Sequence, residues 1–233
     1  MDGYLCSKTT TMMSTLYDKL LAFDASHSMD EKKACEELTE KFREVSKAFL
    51  YGGYIDVYGK YRIYPTTVEF YFHEENGIVK DWIVYHRNGN ERFEGIDDVP
   101  YFPLMSLHTH DSGFDIAFEN EKKQYRASVL IRRYAVYDVT NKKFIHLPRP
   151  ESAEKKYPEW EEYRVLNLKY FLNGFSLSAV SSIVWQDDYW GDGRDPKEPE
   201  PRQGVHKYID GEKQPEMDER KWSFSIDGDI IVK

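Results

Sequence analysis

The feature that most constrains this chain is the strand-like run Thr66–His73, which reads TTVEFYFH and carries a carboxylate at its centre. Because side chains alternate between the two faces of a strand, Val68, Phe70 and Phe72 share one face. The opposite face carries Thr67, Glu69, Tyr71 and His73. An acid, a phenol and an imidazole in a row are unusual on an apolar strand. We expect the first face to be core, and the second to be solvated or to line a pocket where Glu69 acts.

Composition indicates one globular domain that is not stabilised by disulfide bonds or structural metal ions. The chain has 233 residues, of which 15% are aromatic, and this is long enough to bury a substantial interior. Its two cysteines, Cys6 and Cys35, show no paired spacing, which disfavours a disulfide framework or a zinc knuckle and favours a reducing compartment. The formal charge of -9 weighs against avid non-specific DNA binding through phosphate contacts, although a local basic strip stays compatible with it.

No apolar run has the length needed to span a bilayer, and the first residues lack the pattern of a signal peptide. The sequence therefore predicts a soluble, cytoplasmic protein with no membrane partner.

Two helices are predicted first, at Thr11–Phe23 and Asp30–Leu50. The second has Asp30 or Ser28 as its N-cap and Gly52-Gly53 as its terminator. Its helical stripe consists of Ala34, Leu38, Phe42, Val45 and Phe49.

A β-rich block follows, and Gly59-Lys60 forms the turn of its first hairpin. The predicted strands are Tyr54–Tyr58, Tyr61–Tyr64, Thr66–His73, Ile78–His86, Leu104–His110, Phe114–Phe118, Arg126–Tyr137, Lys221–Ile226 and Asp229–Val232. A further helix is expected at Glu161–Leu172, and the Gly- and Pro-rich region Gly191–Glu219 is expected to be a long surface loop.

Runs of strands with peripheral helices predict an α+β fold with a curved, mostly antiparallel β-core. We divide this single domain into an N-terminal helical segment (1–52), a β-rich core with the candidate site (53–146), and a C-terminal part (147–233). The last part holds a helix, the long loop and the final strands.

Glu69 is the first candidate for chemistry. A carboxylate on such a strand is most often solvated, and periodicity alone favours this interpretation. If Glu69 instead shares a pocket with Tyr71, burial would raise its pKa and suit it to general-base catalysis.

His108 and His110 form a second candidate, because residues two apart on a strand present their imidazoles to the same side. His86 or Asp115 could supply a third metal ligand. The alternative is that both histidines are polar lining or hydrogen-bonded structure.

Arg132 and Arg133 interrupt an apolar strand, so one of them must face inward, where a guanidinium needs a carboxylate or a phosphate. A salt bridge to Glu69, Asp115 or another acid would satisfy it. The sequence has no G-x-S-x-G, Walker or G-x-G-x-x-G motif.

The order of several segments is more specific than any one of them. These segments are Tyr61–Tyr64, Val68–Tyr71, Asp81, His86, Ser112–Asp115, Ala127–Arg132, Pro201–Val205 and Lys221–Ile226. Over roughly residues 45 to 232 their order resembles that of the alkyladenine (3-methyladenine) DNA glycosylase family. The likeness consists of an arginine-isoleucine strand leading to Glu-x-Tyr, a "VLIR" strand, and a late Pro-Arg-x-Gly before Trp-x-Phe.

The resemblance implies a single α+β domain that hydrolyses the N-glycosidic bond of a flipped-out purine. By position, Glu69 is similar to the base that deprotonates the attacking water, and Arg132 resembles the arginine beside that water. Tyr71 and His86 resemble the residues that sandwich the base.

Other positions complete the implied pocket. His108 or Thr109 falls near a second stacking tyrosine, and Asp115 falls near a pocket asparagine that screens purines. With His110 they complete the predicted substrate-binding residues. The sequence departs from the family at His108–Ser112, which has no bulky residue to wedge into a duplex, and the acid at Asp115 would change which base edge is accepted.

We therefore expect a divergent DNA-glycosylase-like protein that acts on a modified purine or a related nucleobase or nucleoside. It would bind duplex DNA weakly and would need no metal or cofactor. The alternatives are a metal-dependent enzyme or sensor using His108 and His110, and a non-catalytic binding module on the same fold.

Overall fold

The computed structural model describes residues 15–84, 100–110, 113–147, 167–168, 171–172, 183–191 and 193–232, and it excludes the side chains of residues 109, 110 and 113. Over these ranges the chain is an α+β domain in which a curled antiparallel sheet forms a half-barrel with few helices. The predicted α+β class is confirmed.

Two helices precede the sheet. Helix α1 (Leu16–Leu21) starts with a capping box between Thr15 and Asp18. Helix α2 (Glu31–Tyr51) starts at Asp30, whose carboxylate accepts a hydrogen bond from the backbone N–H of Lys33, and its C-cap is Gly52. The predicted apolar stripe of α2 is confirmed, because all five of its residues are buried. The part of the first predicted helix before residue 15 lies outside the described residues.

Ten strands follow. They are β1 (Gly53–Val57), β2 (Tyr61–Glu74), β3 (Leu107–His110), β4 (Gly113–Ala117), β5 (Tyr125–Asp138), β6 (Lys143–Ile145), β7 (Ile183–Asp187), β8 (His206–Ile209), β9 (Glu212–Met217) and β10 (Ser223–Ser225). The main sheet has the order β3-β4-β5-β2-β1-β7, with β10 on β2 and β6 on β5, while β8 and β9 form a separate hairpin. Strand β2 therefore pairs with β5, β1 and β10.

The hairpin between β1 and β2 turns where predicted, with Tyr58 at φ 57° and Gly59 at φ 65°. Positive φ at both central residues suits the twist of a tight hairpin. Strand β2 combines two predicted strands, and an irregularity in its pairing with β5 between Pro65 and Val68 marks their boundary.

Three expectations for the secondary structure are wrong. Residues 78–84 form turns rather than a strand, because the Asp81 carboxylate points inward to the backbone N–H of Phe72. Residues 229–232 are not a strand, and the expected loop 191–219 contains the β8–β9 hairpin. Of the predicted helix Glu161–Leu172, only residues 167, 168, 171 and 172 are described, and they are helical. Strands β6 and β7 were not predicted.

The core lies between α2 and one face of β2. Val68, Phe70 and Phe72 are fully buried, which confirms their predicted face. The ring of Phe70 stacks on Phe42 of α2 at a centroid distance of 4.6 Å. It also meets Phe49, Phe118 and Phe224 edge-on.

Within the described ranges, neither helix combines the length and the apolar character that crossing a bilayer requires.

Candidate functional site

The second face of β2 is buried as well. Glu69 is 0% exposed, Tyr71 is 9% exposed and His73 is 6% exposed. The expectation that this face is solvated is therefore wrong. A polar face without access to water must satisfy its groups internally, since an unpaired buried carboxylate is costly.

Strand pairing places several predicted site residues in one row across the sheet. Ser223 of β10 lies opposite Glu69, Glu69 lies opposite Leu130 of β5, and Leu130 lies opposite Asp115 of β4. Asp115 in turn lies opposite His108 of β3. Directly opposed residues share a face, so this row lies on the face of the sheet that carries Glu69, Tyr71 and His73. We call it the polar face. With strands about 4.8 Å apart, His108 is roughly 14 Å from Glu69 along the sheet.

Glu69 and Arg132 form an ion pair at the centre of this face. Arg132 lies at the irregularity between β2 and β5, and its Nη2 donates to Glu69 Oε2 at 2.6 Å. The guanidinium side chain is 22% exposed, whereas that of Glu69 is 1% exposed. The pair therefore sits at a boundary between interior and solvent, with the arginine outward. Arg133 is exposed, so the prediction that one of the two arginines faces inward is confirmed.

Three donors converge on the Glu69 carboxylate. Besides Arg132, the Tyr71 hydroxyl donates to Oε2 at 3.1 Å and the backbone N–H of Gln203 donates to Oε1 at 2.9 Å. The carbonyl oxygen of Gln203 accepts a hydrogen bond from Arg132 Nη2 at 3.1 Å. The backbone of one residue thus contacts both members of the ion pair. Both oxygens of the Glu69 carboxylate are engaged by these contacts.

Tyr71 is oriented by its surroundings rather than free to hold a ligand. Burial and the nearby Glu69 charge raise the pKa of its phenol well above the ordinary value, so it is a hydrogen-bond donor at neutral pH. The guanidinium of Arg202 lies 4.6 Å from its ring centroid. Tyr71 also clusters with Leu130, Val84 and Val205, which cover this part of the face. The predicted sandwich role of Tyr71 stays a prediction.

A buried ionic cluster lies behind Tyr71. Arg202 is fully buried in its side chain and binds Asp81 Oδ2 at 2.5 Å and Asp218 Oδ2 at 2.8 Å. Arg220 binds the same two carboxylates from the adjacent segment. The guanidinium groups of Arg220 and Arg202 hold the pKa of Asp218 down at about 2, against the opposing effect of burial. This cluster joins residue 81, the 201–204 turn and the 218–220 segment to β2.

Asp115 and His108 lie further along the row. Asp115 is buried, and its Oδ2 accepts a hydrogen bond from Ser128 Oγ at 2.8 Å. The His108 ring stacks on Phe102 at a centroid distance of 4.1 Å and bonds to Ser106 Oγ at 2.8 Å. The structure therefore places both residues on the polar face but apart from the Glu69–Arg132 pair.

Two cavities occur away from this row. One, of about 310 Å³, lies between α1, the end of α2 and residues 187–195. The other is a groove of about 1230 Å³ between α2 and the β8–β9 hairpin. Neither is lined by a residue predicted for the site.

The remaining predicted residues are only partly accounted for. His86 lies outside the described residues, and so does the side chain of His110, although its backbone belongs to β3. Among the described residues, no group of three His, Cys, Asp or Glu side chains could hold a metal ion. The metal alternative stays a prediction, because it depends on His110.

The sequence-based predictions do not include Gln203 and Arg202 as site residues, although they lie next to Glu69 and Tyr71. Gln203 and Arg202 belong to the Pro-Arg-x-Gly segment of the resemblance, which was the available signal. They lie in a region predicted to be loop, where periodicity carries no information about contacts.

Searches against protein-family models, curated proteins and solved structures found no match for this chain.

Proposed function

We propose that this protein is a divergent N-glycosylase-like hydrolase in which Glu69 is the general base. The observation that supports the proposal is the convergence of Glu69, Arg132, the Tyr71 hydroxyl and the Gln203 backbone at one point of the polar face. Two strands, β2 and β5, and a turn from a distant part of the chain build this point. So many buried polar groups carry a desolvation cost, and such costs concentrate at functional sites.

Each group has a chemical role in the proposed reaction. Water attacks C1′ while the C1′–N bond breaks and its electron pair leaves with the base, and the Glu69 carboxylate takes the proton of the attacking water. Arg132 and the Gln203 carbonyl orient that water, and Tyr71 holds the carboxylate through its hydroxyl. The described contacts are those without substrate, and catalytic hydrogen bonds commonly rearrange when the substrate binds.

The proposed substrate is a nucleobase linked to a sugar, as a nucleoside or in a single strand, rather than a base in duplex DNA. The net charge of -9 disfavours binding to a densely charged duplex. A single nucleoside or a short strand contributes fewer phosphates, so the same charge opposes it less.

The test is base release by Glu69→Gln. The purified chain is incubated with alkylated purine nucleosides, and with single-stranded and duplex oligonucleotides carrying the same bases. We expect the wild type to release base and the variant to be at least about 100-fold slower, the scale of a lost general base. Glutamine keeps the shape and accepts hydrogen bonds, but it cannot take the proton. Equal rates in the two proteins would remove Glu69 from the reaction.

Glu119→Gln is the matched control. Glu119 is also a buried glutamate close to an arginine, Arg126, but it lies outside the Glu69–Arg132 pair. We expect this variant to keep the wild-type rate of base release. A parallel loss in both variants would indicate damage to the fold rather than to the chemistry.

A second candidate is a non-catalytic binding module on the same fold. It is favoured by the enclosure of Glu69, whose two oxygens already accept three hydrogen bonds. Its expected result is the absence of base release by the wild type from every probe, together with a large loss of stability in Glu69→Gln.

A further inference from the structure

The backbone of Gln203 is the contact through which a distant segment controls the Glu69–Arg132 pair. Its N–H binds Glu69 and its carbonyl binds Arg132, so the position of one peptide segment sets both partners. Its side chain is not needed for either contact. The next residue, Gly204, has φ 73°, a conformation that glycine adopts without strain, so the chain turns away directly after Gln203.

The preceding residue anchors this turn. Arg202 donates to the Phe70 carbonyl on β2 at 3.2 Å as well as to Asp81 and Asp218, and its side chain is fully buried. Its planar, multi-donor guanidinium suits the binding of several acceptors in fixed directions, which an ammonium group does not reproduce. A displaced Arg202 would shift the peptide of Gln203, because the two residues are adjacent.

We propose that Arg202 is a positioning residue for the Glu69–Arg132 pair, acting through the backbone of Gln203. This inference rests on the proposed function for its catalytic consequence, but its structural consequence stands apart from it. Arg202 touches neither the carboxylate of Glu69 nor the guanidinium of Arg132 in the described contacts.

The test compares Arg202→Lys with Arg220→Lys in the full chain. Both arginines bind Asp81 and Asp218, but only Arg202 adjoins Gln203. Amide hydrogen exchange is measured by NMR at Gln203 and at core amides of α2. We expect exchange at Gln203 to rise about tenfold or more in Arg202→Lys, beyond any change in the core amides, and to follow the core amides in Arg220→Lys.

Kinetics supply a second readout. We expect Arg202→Lys to lower kcat for base release about tenfold or more with little change in KM, since small misplacements of catalytic groups are costly. Arg220→Lys should leave both constants near wild type. If the wild type releases no base, the proposed function fails, and hydrogen exchange still decides the positioning role.

Asp218→Asn covers the case in which Arg202→Lys does not fold. It removes the charge from one carboxylate bound to Arg202 while keeping the shape. We expect a smaller, selective rise in exchange at Gln203. Exchange at Gln203 that stays at the wild-type level, or that changes only together with the core amides, would overturn the proposal.

Discussion

The two faces of β2 are both buried, but different interactions hold them. On one face Phe70 is surrounded by aromatic rings from α2 and from other strands. On the other, Glu69 is held by donors at 2.6 to 3.1 Å. The hydrophobic effect that drives burial of the rings is non-directional, whereas each polar contact requires a particular partner. We therefore expect the apolar face to contribute most of the stability, and the polar face to add specific geometry at a desolvation cost.

Phe70→Ala should have the largest effect on this comparison. The substitution leaves a cavity in a packed aromatic cluster, so we expect a loss of about 3–5 kcal/mol in the free energy of unfolding. Chemical denaturation of the two proteins measures the change. A loss below about 1 kcal/mol would show that the aromatic face is loosely packed.

The charged groups at the end of the polar face predict a pH dependence. Burial raises the pKa of the Glu119 carboxyl to about 7, although Arg126 and the backbone N–H of Phe102 lower it in part. Below about pH 4.5 the group is protonated in both the folded and unfolded states. Between there and pH 7 only the folded state keeps the proton, so the stabilising contribution of this group is lost as the pH rises.

For this one group the loss is about 3 kcal/mol. This is the free energy that corresponds to the difference between the pKa of Glu119 in the folded protein and its ordinary pKa. The measurement is the difference in unfolding free energy between wild type and Glu119→Gln across pH 4.5 to 7.5. We expect the wild type to lose stability relative to the variant as the pH rises. A difference that stays constant with pH would contradict the raised pKa.

Tyr71→Phe should have the smallest effect of the three. It removes one hydrogen bond to the Glu69 carboxylate and leaves those from Arg132 and Gln203. The expected loss is about 1.5–3 kcal/mol, the usual range for a hydrogen bond to a charged group. Urea denaturation compares it with Phe70→Ala, since the two residues are neighbours on opposite faces. A loss of unfolding free energy as large as that of Phe70→Ala would mean that the polar face contributes as much to stability as the apolar face.

Periodicity predicted the parts of the fold that obey it. The alternation in Thr66–His73 gave the two faces of β2, and the stripe of α2 gave its buried side, because burial follows geometry in regular elements. An arginine that faces inward needs an acid as its partner, and the sequence offers Glu69 as a candidate. In the structure Glu69 is paired with Arg132.

The rest was set by contacts between segments far apart in the chain. Residues 78–84 contain enough apolar residues to suggest a strand, but Asp81 binds Arg202, and Val84 covers Tyr71 instead of extending the sheet. The closure of Glu69 depended on Gln203, which no local pattern connects to β2. A sequence shows which groups need partners more readily than which distant segment supplies them.

The separation of 134 positions between Glu69 and Gln203 has a consequence for how the chain folds. Before the ribosome has synthesised the C-terminal region, Glu69 has its strand neighbours but lacks the backbone N–H of Gln203. Pairings between remote segments form slowly, because closing a long loop costs entropy before any contact compensates for it. The site is therefore completed late, after synthesis has passed residue 203. Until then Glu69 lacks the hydrogen bond from the Gln203 backbone.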